Sequence, residues 1–154
     1  MNSPELSGLF LFLNIRGFVS KQFTLGKNER LKSRKQIEQL FKEGRSFVVN
    51  PYRIYFFLHG QLNIDHGLQF GVGVSNKNFK KAVDRNRIKR LTREAWRLQK
   101  NDLKEKVMVG NKKMNVFFIY TGKDLPDFTI AKDKVAVALK KLSDKLDEKN
   151  SSNS

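Results

Sequence analysis

The residues with the most distinctive chemistry lie between Lys80 and Trp96, in the segment KKAVDRNRIKRLTREAW. Apolar residues recur there at a helical period: Ile88, Leu91, Ala95 and Leu98. This spacing predicts one helix whose apolar stripe faces a core. Cations and one amide fall on the opposite side: Arg85, Asn86, Lys89, Arg90, Arg93 and Arg97. Guanidinium groups match phosphate oxygens bidentately, so this surface suits a nucleic-acid backbone.

A charge run on a helix can also be an ordinary solvated surface. Such a surface mixes acids with bases, whereas Asp84 and Glu94 are the only acids between Lys77 and Lys100. The whole chain is basic as well, because 31 Lys and Arg against 15 Asp and Glu give a formal net charge of +16. The charge therefore favours a polyanionic partner.

An anionic membrane would attract the same charge. A membrane-surface helix, however, presents its apolar side to lipid, whereas this chain has predicted strands against which the helix can bury that side. We therefore expect nucleic acid as the partner and no membrane.

The residues that must position this helix begin with an S-x-x-Q capping box at Ser33, followed by an apolar stripe at Ile37, Leu40 and Phe41 and a stop at Gly44. These signals predict a short first helix. From Ser46 to His59 the pattern changes to period two, with Pro51 marking an edge, a bulge or a split in the strand.

Alternation assigns the two faces of this strand. One face carries Tyr52, Ile54, Phe56 and Leu58, and the other carries Arg53, Tyr55, Phe57 and His59. The next run, LQFGVGVS, places its apolar side chains on one face and Gly71 and Gly73 on the other. This nearly bare face would let another chain approach the sheet closely, although glycine can also serve only for bulges or twist.

Two further elements follow the basic helix. The run MNVFFIYT at Met114 to Thr121 predicts a strand, and Thr129 to Leu146 predicts a last helix with Thr129 as its N-cap. An apolar stripe lies along that helix at Val135, Leu139, Leu142 and Leu146. The order α-β-β-α-β-α predicts an α+β fold, a two-layer sandwich of helices on a small sheet.

The 154 residues suit one domain, which we place at residues 26–146. We expect residues 1–25 to form an N-terminal extension that is non-native, flexible or packed on the domain as a short element. The apolar run at 9–19 is too short for a membrane span and lacks the flanks of a signal peptide. The polar tail at 147–154 is predicted to be disordered. The absence of cysteine fits a cytoplasmic protein.

Catalytic and metal-binding motifs are missing from the sequence. The only histidines are His59 and His66, and no nucleophile motif accompanies them. Asp65 beside His66 could bind a metal, but such a pair is far more often solvated surface. We therefore predict no catalytic residue and no metal site in the chain, so any catalysis would be supplied by a partner.

The pattern A-V-x-R-N-R-I-K-R-L-x-R-E-A-W at Ala82 to Trp96 resembles the signature of the bacterial ribonuclease P protein subunit. The likeness extends from Gly26 to Leu146, through GKNERLKSRKQIEQLFKEGRSF and FGVGVSNK. It implies a left-handed βαβ crossover, which departs from the usual right-handed rule. It also implies that a partner RNA, using Mg²⁺, removes the 5′ leader of precursor tRNA while the protein binds the leader and supports the RNA.

The resemblance and the residue pattern together predict two groups of residues. The resemblance itself matches Arg85, Asn86, Arg87, Lys89, Arg90 and Arg93 to the family's basic helix, and Phe41 and Tyr55 to its leader cleft. The predicted contacts with the catalytic RNA are Lys80, Lys81, Arg85, Asn86, Arg87, Lys89, Arg90, Arg93 and Arg97. The predicted leader cleft comprises Ile37, Phe41, Arg53, Tyr55 and Phe57, where Ile37 replaces a common aromatic. The residues themselves suggest much the same cleft if strand register aligns Tyr55 and Phe57 with the glycine face, since aromatic rings beside cations hold single strands. Phe41 and Phe57 could instead be core.

Two other functions compete with this interpretation. A ribosomal or ribosome-assembly protein would have the same composition, and only the R-N-R motif separates the two. A DNA-binding module is disfavoured because no dimer seam or second apolar face accompanies the helix. We therefore expect ribonuclease P RNA and precursor tRNA as partners, no DNA, and a monomeric protein in a one-to-one ribonucleoprotein.

Overall fold

The structure, a computed structural model, describes residues 25–60 and 67–152. These ranges form an α+β fold with a four-stranded mixed sheet and four α-helices. The elements are α1 (Arg34–Glu43), β1 (Arg45–Val49), β2 (Tyr52–His59), β3 (Leu68–Val74), α2 (Ala82–Gln99), α3 (Asn101–Val109), β4 (Lys113–Tyr120) and α4 (Phe128–Ser152). A short 3-10 turn at Lys27–Glu29 precedes α1. The run at 9–19 and the Asp65–His66 pair lie outside the described residues.

The sheet has the strand order β1-β2-β4-β3. Strand β4 lies between β2, to which it is antiparallel, and β3, to which it is parallel. The chain therefore crosses over between β3 and β4 through α2 and α3. Strands β1 and β2 form an antiparallel hairpin, so of the alternatives at Pro51 the split is the one observed.

The first helix begins and ends where its capping signals predicted. The Ser33 hydroxyl accepts a hydrogen bond from the Gln36 amide at 3.4 Å, and Gly44 is the C-cap residue. The alternation in β2 is also confirmed, because Tyr52, Ile54 and Phe56 are buried while Arg53 is exposed. Strand β3 buries the face predicted for it.

The apolar stripe of α2 was predicted only in part. Ile88 and Ala95 are fully buried, but Leu98 is 37% exposed, so its core assignment was wrong. Thr92 and Trp96 are buried instead. The Trp96 ring stacks on Phe70 with centroids 4.3 Å apart, so α2 packs against β3 at that position.

Thr92 can be buried because its hydroxyl group has partners. It donates to the Ile88 carbonyl at 2.8 Å and lies 2.8 Å from the Tyr52 hydroxyl. Burial raises the pKa of Tyr52 to about 12. A buried polar pair thus connects α2 to β2.

The end of the chain differs from the prediction in three respects. Helix α3 was not predicted. The N-terminal turn of α4 is capped by Asp127, whose carboxylate accepts from the Ile130 amide at 2.8 Å, rather than by Thr129. The helix continues to Ser152, so residues 147–152 are helical where disorder was predicted. Its stripe at Val135, Leu139, Leu142 and Leu146 is buried as expected.

The helices lie on both faces of the sheet. Helices α2, α3 and α4 bury the core against the face that carries Ile54, Val116 and Phe118. Helix α1 packs on the opposite face, where Phe41 contacts Tyr55 and Phe117. The two-layer prediction therefore describes one face of the sheet, and α1 forms a partial third layer. No described helix has the length and apolar character needed to cross a membrane.

Candidate nucleic-acid interface

The exposed side of α2 is a cationic surface, which we call the basic face. Asn86, Arg87, Arg90 and Arg93 are exposed, and Lys89 is half-buried. Lys80 and Lys81 are exposed immediately before the helix begins. Because the opposite side of α2 is fixed by Ile88, Ala95 and Trp96 in the core, the basic face cannot turn inward. The structure thus brings together most of the residues predicted to bind RNA.

Arg85 does not lie at the centre of this face. It is half-buried, and its Nη1 donates to the carbonyls of Phe79 and Lys80, each at 2.8 Å. The side chain therefore binds the backbone of the segment that leads into α2. The prediction that Arg85 projects with the other guanidinium groups was wrong in this respect, because these carbonyls draw it toward the start of the helix.

Arg97 is paired with an acid of the same helix. Its Nε lies 3.1 Å from Glu94 Oε2, and its Nη2 contacts Glu94 Oε1. The hydrogen bonds from Arg97 lower the pKa of Glu94, and those to Glu94 raise the pKa of Arg97. This pair is close to neutral, so Arg97 adds less positive potential to the basic face than Arg90 or Arg93.

A residue outside the helix joins the basic face. Arg30, from the segment before α1, lines a depression in the surface together with Leu25, Asn86, Arg90, Arg93, Glu94 and Arg97. Burial lowers the pKa of the Arg93 guanidinium, and the positive charge of Arg30 lowers it further. The sequence contained no signal for this juxtaposition, because α1 and three strands lie between Arg30 and α2 along the chain.

A second surface, which we call the aromatic cleft, lies between α1 and the sheet face opposite the core. The Phe41 ring meets Tyr55 edge to face at 4.9 Å and Phe117 at 5.4 Å. The Arg53 guanidinium lies 5.8 Å from the centre of the Tyr55 ring. Phe41 is 42% exposed and Tyr55 is half-buried, so neither ring is core.

Strand register aligns the cleft residues. Tyr55 pairs with Phe117, which pairs in turn with Gly71 on the far side. Arg53 and Gly73 are both paired with Ile119 in the next row of the same face. Tyr55 and the glycines therefore share one face, as the predicted cleft required.

The two glycines accommodate Phe117. A Cβ atom at Gly71 would lie 2.7 Å from the Phe117 ring, and one at Gly73 would lie 3.2 Å from it. The Phe117 ring occupies the space directly above these glycines, and the Leu31 carbonyl would lie 3.1 Å from a Cβ at Gly71, so the close approach seen at this face comes from the protein itself. Phe117 was missed as a cleft residue, although its alternation with Val116 and Phe118 could have identified it.

Ile37 and Phe57 border the cleft. Ile37 is half-buried on α1, one turn before Phe41. Phe57 is half-buried in the row of Asn115, with its ring 4.7 Å from His59. Burial and the charge of Lys113 lower the pKa of His59. Phe57 therefore lies on the cleft face, one row away from the residues that meet Phe41.

Comparisons with known proteins identify the family. The family model Ribonuclease P matches residues 25–143. The ribonuclease P protein component of Porphyromonas gingivalis is 39% identical over 106 residues, which cover 69% of this chain and 77% of that protein. The chain belongs to the ribonuclease P protein family. It is therefore the protein component of the RNase P holoenzyme, a tRNA-processing enzyme.

Solved structures agree with this RNase P assignment. The RNase P protein of Staphylococcus aureus has a TM-score of 0.58 and 23% identity, covering 73% of this chain and 93% of that one, and it supports the fold. The RNase P protein from Thermotoga maritima has a TM-score of 0.56 and 29% identity, covering 73% of this chain and 96% of that one. The family match includes both the basic face and the aromatic cleft.

Proposed function

We propose that this RNase P protein binds the catalytic RNA through the basic face and the 5′ leader of precursor tRNA in the aromatic cleft. The RNA subunit cleaves the leader, and the protein positions the substrate and stabilises the active RNA. The observation that carries the proposal is the aromatic group of Phe41, Tyr55 and Phe117 beside Arg53, on the sheet face opposite the core.

The chemistry of the cleft supports binding of a single strand. Aromatic faces stack on bases of any identity, and each stacked base contributes about 1–3 kcal/mol. A nearby guanidinium can contact the phosphate that links two stacked bases. A leader is unpaired and varies in sequence, so a surface that relies on stacking suits it better than one that reads base edges.

The basic face supports a different role. Its side chains are suited to phosphates of a folded RNA, because the opposite side of α2 is buried in the core and Arg90 and Arg93 are exposed, with Lys89 half-buried beside them. Arg87 is also exposed, one turn before Arg90. The two surfaces use different elements, so one protein can contact the catalytic RNA and the substrate together.

The remaining features of the proposal concern the assembly. Mg²⁺ would be used by the RNA subunit; the described residues contain no group of three or more His, Cys, Asp or Glu placed to hold a metal ion. We also propose a domain at residues 26–146, a left-handed β3-to-β4 crossover, a cytoplasmic location and one protein per catalytic RNA.

The experiment that tests the proposal is reconstitution. The protein is mixed with a bacterial RNase P RNA and precursor tRNA at a low Mg²⁺ concentration at which the RNA alone is slow. We expect leader release to become faster with the protein, and no release with protein alone. Cleavage by nuclease-free protein without RNA, or no stimulation of the RNA, would contradict the proposal.

A further inference from the structure

Strand β2 extends beyond the edge strand that pairs with it. The pairing between β1 and β2 ends at Arg45 and Phe56, because the chain enters β1 from α1 at Gly44, whereas β2 continues to His59. The Phe56 carbonyl points to the outer side of β2, since a Cβ atom at Gly44 would lie 2.9 Å from its oxygen. The last part of this edge has no partner strand among the described residues.

The backbone groups of Leu58 face this open edge. The Met114 amide donates to the Gly67 carbonyl at 2.7 Å, on the β3 side of β4. Backbone groups of successive residues point to alternate sides of a strand, so Asn115 faces β2, where it pairs with Phe57. The N–H and C=O of Leu58, the next residue, therefore point away from β4, and within the described ranges no backbone group pairs with them.

A cavity of about 350 Å³, which we call the edge cavity, opens at this place between β2 and the last turns of α4. Its floor is apolar and includes Phe56, Leu58, Met114 and Leu146. Its rim carries three cations and two acids: Arg45, Lys145, Lys149, Glu43 and Glu148. Neither Arg45 nor Lys145 forms an ion pair with a described residue. An apolar floor thus lies beside a rim of net positive charge.

The edge cavity fits an extended polypeptide that pairs with Leu58 as a short extra strand. A residue opposite Leu58 has its side chain on the same face of the sheet, and on that face lies the apolar floor. A strand that enters from the His59 end cannot continue along β2, because Arg45 already occupies the position beside Phe56. The residue that pairs with Leu58 therefore suits the end of a chain.

Charge decides which end of a chain fits. An amino end would place a second positive charge beside Arg45 and Lys145, whereas a carboxylate would accept charge-assisted hydrogen bonds from both. A chain whose carboxyl end meets Arg45 runs antiparallel to β2, in the same direction as β1. It would therefore continue the existing pairing pattern of the sheet edge.

We propose that the edge cavity binds the carboxyl end of a partner polypeptide whose last residue is apolar. The backbone of that residue pairs with Leu58, its side chain fills the apolar floor, and its carboxylate binds Arg45 and Lys145. The edge cavity contains no residue of the basic face, so a partner protein and the RNase P RNA can be bound together. This inference does not rest on the proposed function, and its failure would leave that function standing.

Short fluorescein-labelled peptides test the proposal with the wild-type, full-length protein. The probes end in Leu, Val, Ile or Phe with a free carboxylate, and fluorescence anisotropy at physiological salt measures their affinity. We expect saturable binding that weakens about tenfold when the carboxylate is replaced by an amide, because a charge-assisted hydrogen bond is lost. Replacing the last residue by Gly should weaken it by about tenfold, because the buried apolar side chain is lost.

Methylation of the last peptide nitrogen tests strand pairing without changing the protein. It removes the donor to the Leu58 carbonyl and should weaken binding several-fold. If the methylated peptide binds as well as its parent, the peptide does not pair with β2 and the proposal is wrong. The same conclusion follows if none of the four free-carboxylate probes shows saturable binding.

Arg45→Gln and Lys145→Gln test the carboxylate contact, with Lys140→Gln as the matched control. Lys140 is exposed on the same helix as Lys145 and does not line the edge cavity. We expect each of the first two changes to weaken the free-carboxylate peptide several-fold and to affect the amidated peptide little, because only the former has the charge that they bind. Lys140→Gln should change neither affinity.

Thermal unfolding of each variant checks that the fold is intact. If Lys140→Gln weakens the free-carboxylate peptide as much as Arg45→Gln does, or if the acid and amide peptides bind the wild-type protein equally, binding is general attraction to a basic protein. Either result would overturn the edge cavity as a site for a carboxyl end.

Discussion

Lys100 Nζ lies 2.6 Å from Glu29 Oε1, and the lysine side chain has no exposed surface. Lys104 Nζ approaches the same oxygen at 2.8 Å. One carboxylate in the turn before α1 thus binds two cations at the α2–α3 junction. This ion pair and the Leu31–Phe70 hydrogen bond fix the segment that carries Arg30.

We expect Glu29→Gln to lower the free energy of unfolding by about 3 kcal/mol, because it removes the carboxylate that binds the buried Lys100 ammonium. Lys100→Met should cost less, since it removes the buried charge and Glu29 keeps Lys104. Urea unfolding of both variants measures the difference. Equal losses would mean that the effect comes from general packing and not from the loss of the Glu29 carboxylate beside the buried ammonium.

The same pair predicts a pH dependence. Burial opposes ionisation of Glu29, but hydrogen bonds from Lys100 and Lys104 outweigh it, and the pKa of Glu29 falls below its ordinary value of 4.5. A lowered pKa in the folded state contributes stability above 4.5 that is lost as the pH falls through the folded value. Wild-type stability should therefore decline more steeply than that of Glu29→Gln below this pH, as measured by urea unfolding at each pH.

Arg90→Ala should weaken assembly with RNase P RNA and reduce its salt dependence by about one unit of log slope for each phosphate that the variant no longer binds. The weakening should be similar for RNAs of different sequence, because phosphates carry no base identity. Lys140→Ala, an exposed cation on α4, is the control for net charge. A salt slope unchanged in Arg90→Ala would make this side chain ordinary solvated surface.

The glycines of β3 provide a graded test of the cleft. Alanine at Gly71 would place its Cβ 2.7 Å from the Phe117 ring and 3.1 Å from the Leu31 carbonyl, whereas alanine at Gly73 would meet only the ring, at 3.2 Å. We expect Gly71→Ala to destabilise the protein by about 1–3 kcal/mol, and more than Gly73→Ala does. Gly71→Ala should also weaken leader binding.

Thermal unfolding and the affinity for precursor tRNA report the two effects. If Gly73→Ala is the more damaging change in both measurements, the proximity of Phe117 does not explain why β3 carries glycine.

Local sequence patterns predicted the secondary-structure elements and their buried faces well. They predicted the tertiary contacts between these elements less well. The capping box at Ser33 and the alternation in β2 depend on neighbouring residues, and both were confirmed. Helix α3 was missed because its buried apolar residues are only Leu103 and Val107 and a single residue, Lys100, separates it from α2. Short amphipathic segments of this kind carry little periodic information.

In the candidate site, too, the local features could be predicted from the sequence, whereas the features that depend on tertiary packing could not. The basic face of α2 could be identified from the sequence, because residues three and four apart share a side of a helix. Arg30 could not, since its place depends on the bridge to Phe70 at the edge of β3. Arg85 was placed among the phosphate-binding residues, although two backbone carbonyls bind its guanidinium. Such partners depend on how distant segments pack.

Tyr55→Ala should weaken binding of a precursor tRNA with a leader of several nucleotides while leaving binding of mature tRNA by the holoenzyme almost unchanged. Stacking contributes roughly 1–3 kcal/mol per base, and only the precursor has unpaired leader bases to stack. Tyr55→Phe should retain most of the affinity, because it keeps the ring that meets Phe41 at 4.9 Å. The readout is the ratio of precursor to mature tRNA affinity for each variant.

Since Tyr55 also supports α1 through Phe41, thermal stability and affinity for RNase P RNA must be measured on the same protein. If Tyr55 has only a structural role, Tyr55→Ala should lower the thermal stability and the affinity for RNase P RNA, and should weaken binding of precursor and mature tRNA alike. If Tyr55 binds the leader directly, only the ratio of precursor to mature tRNA affinity should change. If Tyr55→Ala is folded, assembles normally and still prefers precursor to mature tRNA by the wild-type ratio, Tyr55 does not contact the leader, and the cleft assignment is wrong.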